Sequence, residues 1–142
     1  MSFDPGIKNL YTNIFLELWI KSKNMVKLIE AIDLAIEQAK KSHGPFKHGC
    51  VIMSGKNIIS KGNNHVRNQI GTLSIHAEMD ALWKVDSDQY SNKKAVIVRL
   101  SNAGTKLANS RPCSICMGLL KQHGINTIAY STASGKVEME QI

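Results

Sequence analysis

Two short segments of the sequence carry residue types that together could bind a metal ion and activate water. The first is a His-Ala-Glu tripeptide with His76 and Glu78, and the second is Pro-Cys-Ser-Ile-Cys with Cys113 and Cys116. One imidazole and two thiolates are ligands that zinc prefers, and three protein ligands leave the fourth tetrahedral position open to water. Water bound at such a position loses a proton near neutral pH. We therefore predict that His76, Cys113 and Cys116 bind Zn2+, with Glu78 as the catalytic residue that carries protons.

The Cys-x-x-Cys pair by itself has two simpler explanations, a redox pair and half of a structural zinc site. A structural site usually closes with four protein ligands, and the sequence has no second pair of this kind. The third cysteine, Cys50, could be a fourth ligand, but it lies in an apolar run that predicts a small buried residue. A redox pair would not need the His-Ala-Glu tripeptide, so the combination favours a catalytic zinc site.

The helices and strands around these segments must bring His76 and Glu78 close to Cys113 and Cys116. His76 and Glu78 can serve one site only at the start of a helix, because residues two apart in mid-helix face different directions. We expect that helix over about residues 75–85, with Ser74 as its N-cap. Cys113 and Cys116 fall three apart in the first turn of another helix, which begins at Pro112 and is ended by a glycine at position 124.

The combination of His-x-Glu with Pro-Cys-x-x-Cys resembles the signature of the zinc-dependent nucleobase deaminases. The resemblance to the cytidine and deoxycytidylate deaminase superfamily covers roughly residues 26–132. Further segments follow one another in the order that this superfamily uses, namely residues 49–53, 61–64, 75–82 and 124–130. The resemblance implies a hydrolase that converts a ring C–NH2 group to C=O, releases ammonia and needs no redox cofactor.

The resemblance also implies a free cytosine nucleoside or nucleotide as the substrate. It suggests that Asn64 contacts the sugar or the base and that the Ala77 backbone N–H contacts the base carbonyl. Without the resemblance, Asn64 would be interpreted as a turn residue. Histidine as the first ligand is closer to the deoxycytidylate, cytosine, tRNA-adenosine and polynucleotide deaminases, because the small tetrameric cytidine deaminases usually have cysteine there. A hairpin at the C-terminus would instead be closer to the tetrameric group, so both branches stay open.

Two other functions stay open. A base deaminase acting on tRNA or single-stranded nucleic acid should place stacking aromatics near its site. Trp83 and Tyr90 are the aromatics nearest in sequence, and Trp83 fits a core position better. An inactive zinc-binding partner subunit is the second alternative, although such proteins usually lose the glutamate that Glu78 supplies here.

Charge and cysteine content set limits on partners and compartment. The 18 lysines and arginines exceed the 11 aspartates and glutamates, which gives a net charge of +7. This charge favours anionic partners, such as phosphorylated nucleotides or nucleic acid, but an ordinary lysine-rich surface explains it equally well. No arginine-rich tract with interleaved aromatics occurs, so the nucleic-acid signal is weak. Three cysteines do not predict a disulfide framework, and a reducing, cytoplasmic compartment is expected.

We predict a deaminase domain over residues 25–142, preceded by an N-terminal extension over residues 1–24. The extension carries an amphipathic helix at about residues 8–21, which either packs on its own domain or contacts another subunit. Its apolar run is too short to span a membrane, and Asn13 and Glu17 make it a poor signal peptide. Because superfamily members are commonly dimers or larger, the resemblance implies a homo-oligomer without a membrane partner.

The order of the predicted elements indicates an α/β fold. A helix over residues 25–42 precedes a β-hairpin of residues 48–53 and 58–62, and strands follow at 95–100 and 125–131, with a loop at 101–111. We predict a three-layer α-β-α sandwich around a mixed, about five-stranded sheet with a parallel pair inside. The last strand, at residues 136–141, is either antiparallel after a turn or parallel after a further helix.

Overall fold

The computed structural model describes residues 24–43, 46–66, 74–85 and 89–142, and it shows a mixed sheet between helices. The α-helices of this part of the chain are α1 (Asn24–Lys40), α2 (Ala77–Leu82) and α3 (Ser114–Gln122). The strands are β1 (Lys47–Ser54), β2 (Asn57–Asn63), β3 (His65–Val66), β4 (Ser74–Ile75), β5 (Lys93–Leu100), β6 (Leu107–Ala108), β7 (Ile125–Ser131) and β8 (Val137–Gln141). The helix predicted at residues 8–21 lies outside the described residues, and none of the described helices has the length and apolar character needed to cross a membrane.

The main sheet has the order β2-β1-β5-β7-β8, and the short β6 pairs with the end of β5. Strand β1 is antiparallel to both β2 and β5, whereas β5 and β7 are parallel. This arrangement confirms the predicted mixed sheet and its internal parallel pair. The last strand, β8, is antiparallel to β7, so the chain returns through a turn rather than through a further helix.

Helices cover both faces of the sheet and produce the predicted three layers. On one face, the buried side of α1 packs against one set of alternating strand residues: Val51, Met53, Val96, Val98 and Leu100. On the other face, α2 and α3 pack against the opposite set: Cys50, Ile52, Ala95, Ile97 and Ile128. Because side chains alternate across a strand, the odd residues of β5 and the even residues of β1 all face α2 and α3. Cys50 is fully buried among them, as predicted.

Two glycines allow the helices to approach the strands closely. A Cβ atom on Gly49 of β1 would overlap the Ala35 carbonyl oxygen of α1. A Cβ atom on Gly62 of β2 would lie 2.6 Å from the Ala81 backbone nitrogen and 2.9 Å from the Ala77 carbonyl oxygen of α2. Both distances are shorter than van der Waals contact, so each helix sits where it does because its facing strand has no side chain there.

Helix α2 is shorter than predicted, and the predicted N-cap is wrong. Ser74 and Ile75 belong to β4 and pair with Val66 and His65 of β3, so their backbone is extended. His76 is the N-cap instead, with φ −72° and ψ 151°, and the helix ends at Leu82. The next residue, Trp83, is 57% exposed, which corrects its predicted core position.

The region between β5 and α3 also differs from the prediction. The expected loop at residues 101–111 contains β6, which pairs Leu107 with Leu100 and Ala108 with Arg99. Helix α3 begins at Ser114 with Cys113 as its N-cap, so Pro112 precedes the helix rather than occupying its first turn. Its predicted end is confirmed, because Gly124 follows the C-cap with a φ of 81°, a conformation that glycine adopts without strain.

Candidate active site

The proposed site lies where the first turns of α2 and α3 face each other. His76 is the N-cap of α2, and its carbonyl accepts the Asp80 N–H at 3.0 Å. Cys113 is the N-cap of α3, and its carbonyl accepts the Met117 N–H at 2.8 Å. The predicted placement of His76 at the start of a helix is therefore confirmed. Because the first turn of the helix opens towards the site, Glu78 can reach the same site as His76.

Three potential ligand atoms meet at this point. His76 Nδ1 lies 3.3 Å from Cys116 Sγ, and the ligand atoms of His76, Glu78 and Cys116 all lie within 4.8 Å of one another. The Glu78 and Cys116 side chains are buried, with 6% and 3% of each residue exposed, whereas His76 is exposed. Cys113 is exposed and lies outside this group of three, but its sulfur hydrogen bonds to Cys116.

The electrostatics of the two thiols differ. Burial raises the pKa of the Cys116 thiol, and the adjacent Glu78 carboxylate raises it further. The Cys116 backbone N–H donates to the Cys113 sulfur and lowers the pKa of that thiol. A divalent cation at this point would neutralise the repulsion between a Cys116 thiolate and Glu78. The donor set of one imidazole, two thiols and a nearby carboxylate therefore fits a borderline-soft cation such as zinc.

A cavity of about 370 Å³ opens onto these residues. All six predicted site residues line it: Asn64, His76, Ala77, Glu78, Cys113 and Cys116. The lining also includes residues that the sequence analysis did not assign to the site: Phe46, His48, Arg99, Asn109, Ser110, Arg111 and Pro112. The structure thus brings together segments from β1, the end of β2, α2, β5 and the loop before α3.

Asn64 is held by its own domain on both ends of its amide. Its Oδ1 accepts hydrogen bonds from Ser42 Oγ at 2.6 Å and from the His48 N–H at 2.8 Å, and its Nδ2 donates to the Phe46 carbonyl at 2.7 Å. These contacts join the end of α1 to the start of β1, which agrees with the plainer interpretation of Asn64 as a loop-forming residue. Its contact with a substrate stays a prediction.

Ala77 is the first residue of α2 and is buried. The N–H of a first helical residue has no acceptor within the helix, and this residue lines the cavity. The placement is compatible with the predicted contact between this N–H and a base carbonyl.

A buried hydroxyl network positions the loop before α3. Ser110 Oγ donates to the Ile97 carbonyl at 2.8 Å and accepts the Ser131 N–H at 2.8 Å. Ser131 Oγ in turn donates to the Ala108 carbonyl at 2.6 Å and accepts the Arg99 N–H at 3.0 Å. Both serines are almost fully buried, so the loop that leads to the two predicted cysteine ligands is tied to the ends of β5 and β7. Isolated serines give no sequence signal for such a network.

His48 was predicted only as the first residue of a β-strand, with no role in the site. It lies in β1, is partly buried and lines the cavity. Burial and the nearby Arg99 guanidinium lower the pKa of His48 from 6.5 to about 4, so its imidazole is neutral at neutral pH. A signal was present in the sequence, because His48 alternates with Cys50 and Ile52 on the strand face that packs against α2 and α3.

A family model described as the cytidine and deoxycytidylate deaminase zinc-binding region matches residues 25–132. The chain belongs to this family. A search of curated protein sequences finds no significant match. Membership in this deaminase family accounts for the presence of both motifs at one site, and the family model itself describes a zinc-binding region.

Solved structures of deaminases share the fold. Cytidine deaminase from Burkholderia pseudomallei matches with a TM-score of 0.58 and 19% identity, over 79% of this chain and 90% of that one. The dCMP deaminase of the cyanophage S-TIM5, in its apo form, matches with a TM-score of 0.57 and 19% identity, over 75% of this chain and 82% of that one. Cytidine deaminase from Mycobacterium leprae matches with a TM-score of 0.55 and 19% identity, over 79% of this chain and 92% of that one. At these identities the likeness establishes the fold and not the substrate.

Proposed function

We propose that this deaminase-family protein is a zinc-dependent hydrolase that converts the amino group of a cytosine nucleoside or nucleotide to a carbonyl and releases ammonia. The observation that carries the proposal is the meeting of His76, Glu78 and Cys116 atoms within 4.8 Å in the cavity lining. The cavity has a size suited to a small molecule. The similar structures support the choice of base, since they include cytidine deaminases and a dCMP deaminase in complex with dCMP and dUMP.

In this proposal His76, Cys113 and Cys116 hold the zinc ion, and Glu78 stays free for proton transfer. When bound, zinc supplies a water molecule whose pKa is lowered to roughly 7. Cys116 is already buried beside His76, and Cys113 contacts Cys116 through its sulfur.

Glu78 moves the protons of the reaction. Its carboxylate takes a proton from the attacking water and delivers it to the ring nitrogen next to the amino-bearing carbon. The water oxygen forms the new C–O bond, and the C–N bond to the amino group breaks. One water proton ends on the ring nitrogen and the other leaves with ammonia. Burial of Glu78 keeps bulk water away from this transfer.

The substrate contacts follow from the positions of Ala77 and Asn64 in the lining. The Ala77 N–H is proposed to donate to the base carbonyl, which would fix the ring against Glu78. Asn64 has one amide hydrogen beyond those used by its own domain, and this hydrogen is proposed to contact the sugar or the base.

Ammonia release by the zinc-loaded protein tests the proposal. The panel contains cytosine, cytidine, deoxycytidine and their monophosphates, together with adenosine, guanine, tRNA and a single-stranded oligonucleotide. We expect turnover of a free cytosine compound that disappears in Glu78→Ala. Turnover of only a polymer would replace the proposal with nucleic-acid editing, and silence throughout with zinc bound would favour an inactive partner subunit.

A further inference from the structure

The cavity lining contains two arginines with different partners. Arg111 forms a bidentate ion pair with Glu140, through Nε to Oε2 at 3.1 Å and Nη2 to Oε1 at 2.9 Å. Arg99 forms no salt bridge with any residue in the described part of the chain. The lining therefore offers one cation, Arg99, that the described protein residues do not neutralise.

Arg99 also carries a polar atom without a hydrogen-bonding partner. Its Nε is buried and has no acceptor among the described residues. The guanidinium carbon lies 5.3 Å from the centre of the Phe46 ring, so an aromatic face covers one side of the group. Stacking of this kind holds the guanidinium plane, and Arg99 lines the cavity. A buried donor without an acceptor is unfavourable, so the site calls for a ligand that accepts hydrogen bonds.

The position of Arg99 is fixed by the sheet rather than by a loop. Arg99 pairs with His48 across β5 and β1, and both lie on the face that packs against α2 and α3. The Arg99 backbone N–H donates to the buried Ser131 hydroxyl at 3.0 Å. The cationic group is thus built on a rigid element within the same cavity as Glu78 and Cys116.

We propose that Arg99 binds the phosphate of a cytosine nucleoside monophosphate whose base lies at the His76, Glu78 and Cys116 group. This inference rests on the proposed function, because that function places the base. Of the base, sugar and phosphate, the phosphate is the anionic part, and a guanidinium fork matches two of its oxygens. The neutral His48 imidazole beside Arg99 adds a further hydrogen-bonding group without a competing charge. Arg99 is therefore a specificity residue that favours the monophosphate over the nucleoside.

Binding of reaction products tests the inference without turnover. The probes are deoxyuridine and deoxyuridine monophosphate, titrated by calorimetry into the zinc-loaded protein. We expect the phosphate to raise affinity by about 10-fold or more in the unaltered protein and by less than about 3-fold in Arg99→Gln. Affinity for deoxyuridine should be the same in both. Lys136→Gln, which removes one charge from an exposed turn outside the cavity, should keep the full phosphate preference.

Arg99→Lys is the second variant, because it keeps the charge and replaces the fork with a single ammonium. It should recover part of the phosphate preference, and it keeps the test available if Arg99→Gln does not fold by circular dichroism. An equal loss of affinity for both probes in Arg99→Gln, or no phosphate preference in the unaltered protein, would overturn the inference.

Kinetics separate this inference from the proposed function. If kcat/KM for deoxycytidine monophosphate exceeds that for deoxycytidine and Arg99→Gln removes the difference, both proposals stand. An Arg99-dependent phosphate preference in binding, without ammonia release, would keep the anion subsite and reject the deaminase proposal. Ammonia release at a rate that depends neither on the phosphate nor on Arg99 would keep the deaminase proposal and reject the anion subsite. If Arg99 raised kcat/KM only for a single-stranded cytosine oligonucleotide, the assignment of a mononucleotide substrate would be overturned.

Discussion

Cys116 is the residue on which the proposed metal site depends most directly. Its sulfur lies beside His76 and Glu78, and burial leaves it little contact with water. We predict that Cys116→Ser lowers the zinc content at least about tenfold, because a hydroxyl is a poor ligand and the deprotonated thiol is the zinc-binding form. Zinc content can be measured by atomic absorption after dialysis.

Cys50→Ala is the matched control for that measurement. Cys50 is a fully buried free thiol on the neighbouring strand β1 and packs with the apolar cluster beneath α2 and α3. Its replacement should cost some stability and leave the zinc content unchanged. Loss of zinc in Cys50→Ala would instead make Cys50 a ligand and would close the open position that the mechanism needs.

His48 gives the protein a defined pH dependence. Because its folded pKa of about 4 lies below the ordinary 6.5, the unfolded chain binds more protons between these values. The His48 contribution to the free energy of unfolding is therefore complete above about pH 6.5 and falls as the pH drops towards 4, by at most about 3 kcal/mol. Urea unfolding of the metal-free protein across this range should show a shallower decline in His48→Gln.

The same series with His43→Gln provides the comparison. His43 is exposed and does not line the cavity, so its replacement removes a histidine without touching the site. If the free energy of unfolding depended on pH in the same way in His48→Gln and in the unaltered protein, the folded state would not lower the pKa of His48.

At the scale of elements, the site depends on how closely α2 approaches β2. Gly62 allows this approach, since a Cβ there would lie 2.6 Å from the Ala81 nitrogen. We predict that Gly62→Ala lowers the free energy of unfolding by about 1–3 kcal/mol, because the helix must move outward. The same movement should weaken zinc binding, since His76 is the N-cap of that helix.

Gly118→Ala is the control, because Gly118 lies in α3 with no neighbouring atom within 4 Å of a Cβ. It should raise the free energy of unfolding by about 0.5–1 kcal/mol, as alanine does at an unobstructed helical position. Chemical denaturation of both variants decides the matter. A Gly62→Ala variant as stable as the unaltered protein would show that the approach of α2 to β2 is not tight.

The elements also show where local sequence patterns reach their limit. The strand at residues 125–131 was predicted with the observed bounds, because it is rich in β-branched and aromatic residues and follows the glycine that ends α3. The start of α2 was misplaced, since Ser74 has the chemistry of an N-cap but its backbone pairs with β3. Strand β6 was missed because two residues carry no periodicity. In each failure, a tertiary contact outweighs the local preference.

At the scale of the whole molecule, the ligand motifs could be read from the sequence because their residue types and spacing are specific. The order of the predicted helices and strands indicated the sheet, and the structure confirms the α/β class with five strands in its main path and a short sixth. The part of the cavity lining that Phe46 and Arg99 form could not be predicted. Phe46 and Arg99 come together only through the β1–β5 register, and neither belongs to a motif.

Net charge illustrates the same limit. The excess of +7 suggested an anionic partner without locating it. The structure points to a single guanidinium in the cavity, because Arg111 is paired with Glu140 and Arg99 is not paired with any described residue. The net charge therefore says less about the substrate than the position of Arg99 in the cavity lining does.

In the proposed mechanism Glu78 carries protons beside the metal and does not bind it, although its carboxylate lies in the same group of atoms as His76 and Cys116. The decisive measurement is zinc content together with ammonia release for Glu78→Gln, which keeps the shape of the side chain. We expect an unchanged zinc content and a rate of ammonia release lower by about 100-fold or more. Loss of zinc would make Glu78 a ligand, and a near-normal rate with zinc bound would contradict the proposed mechanism.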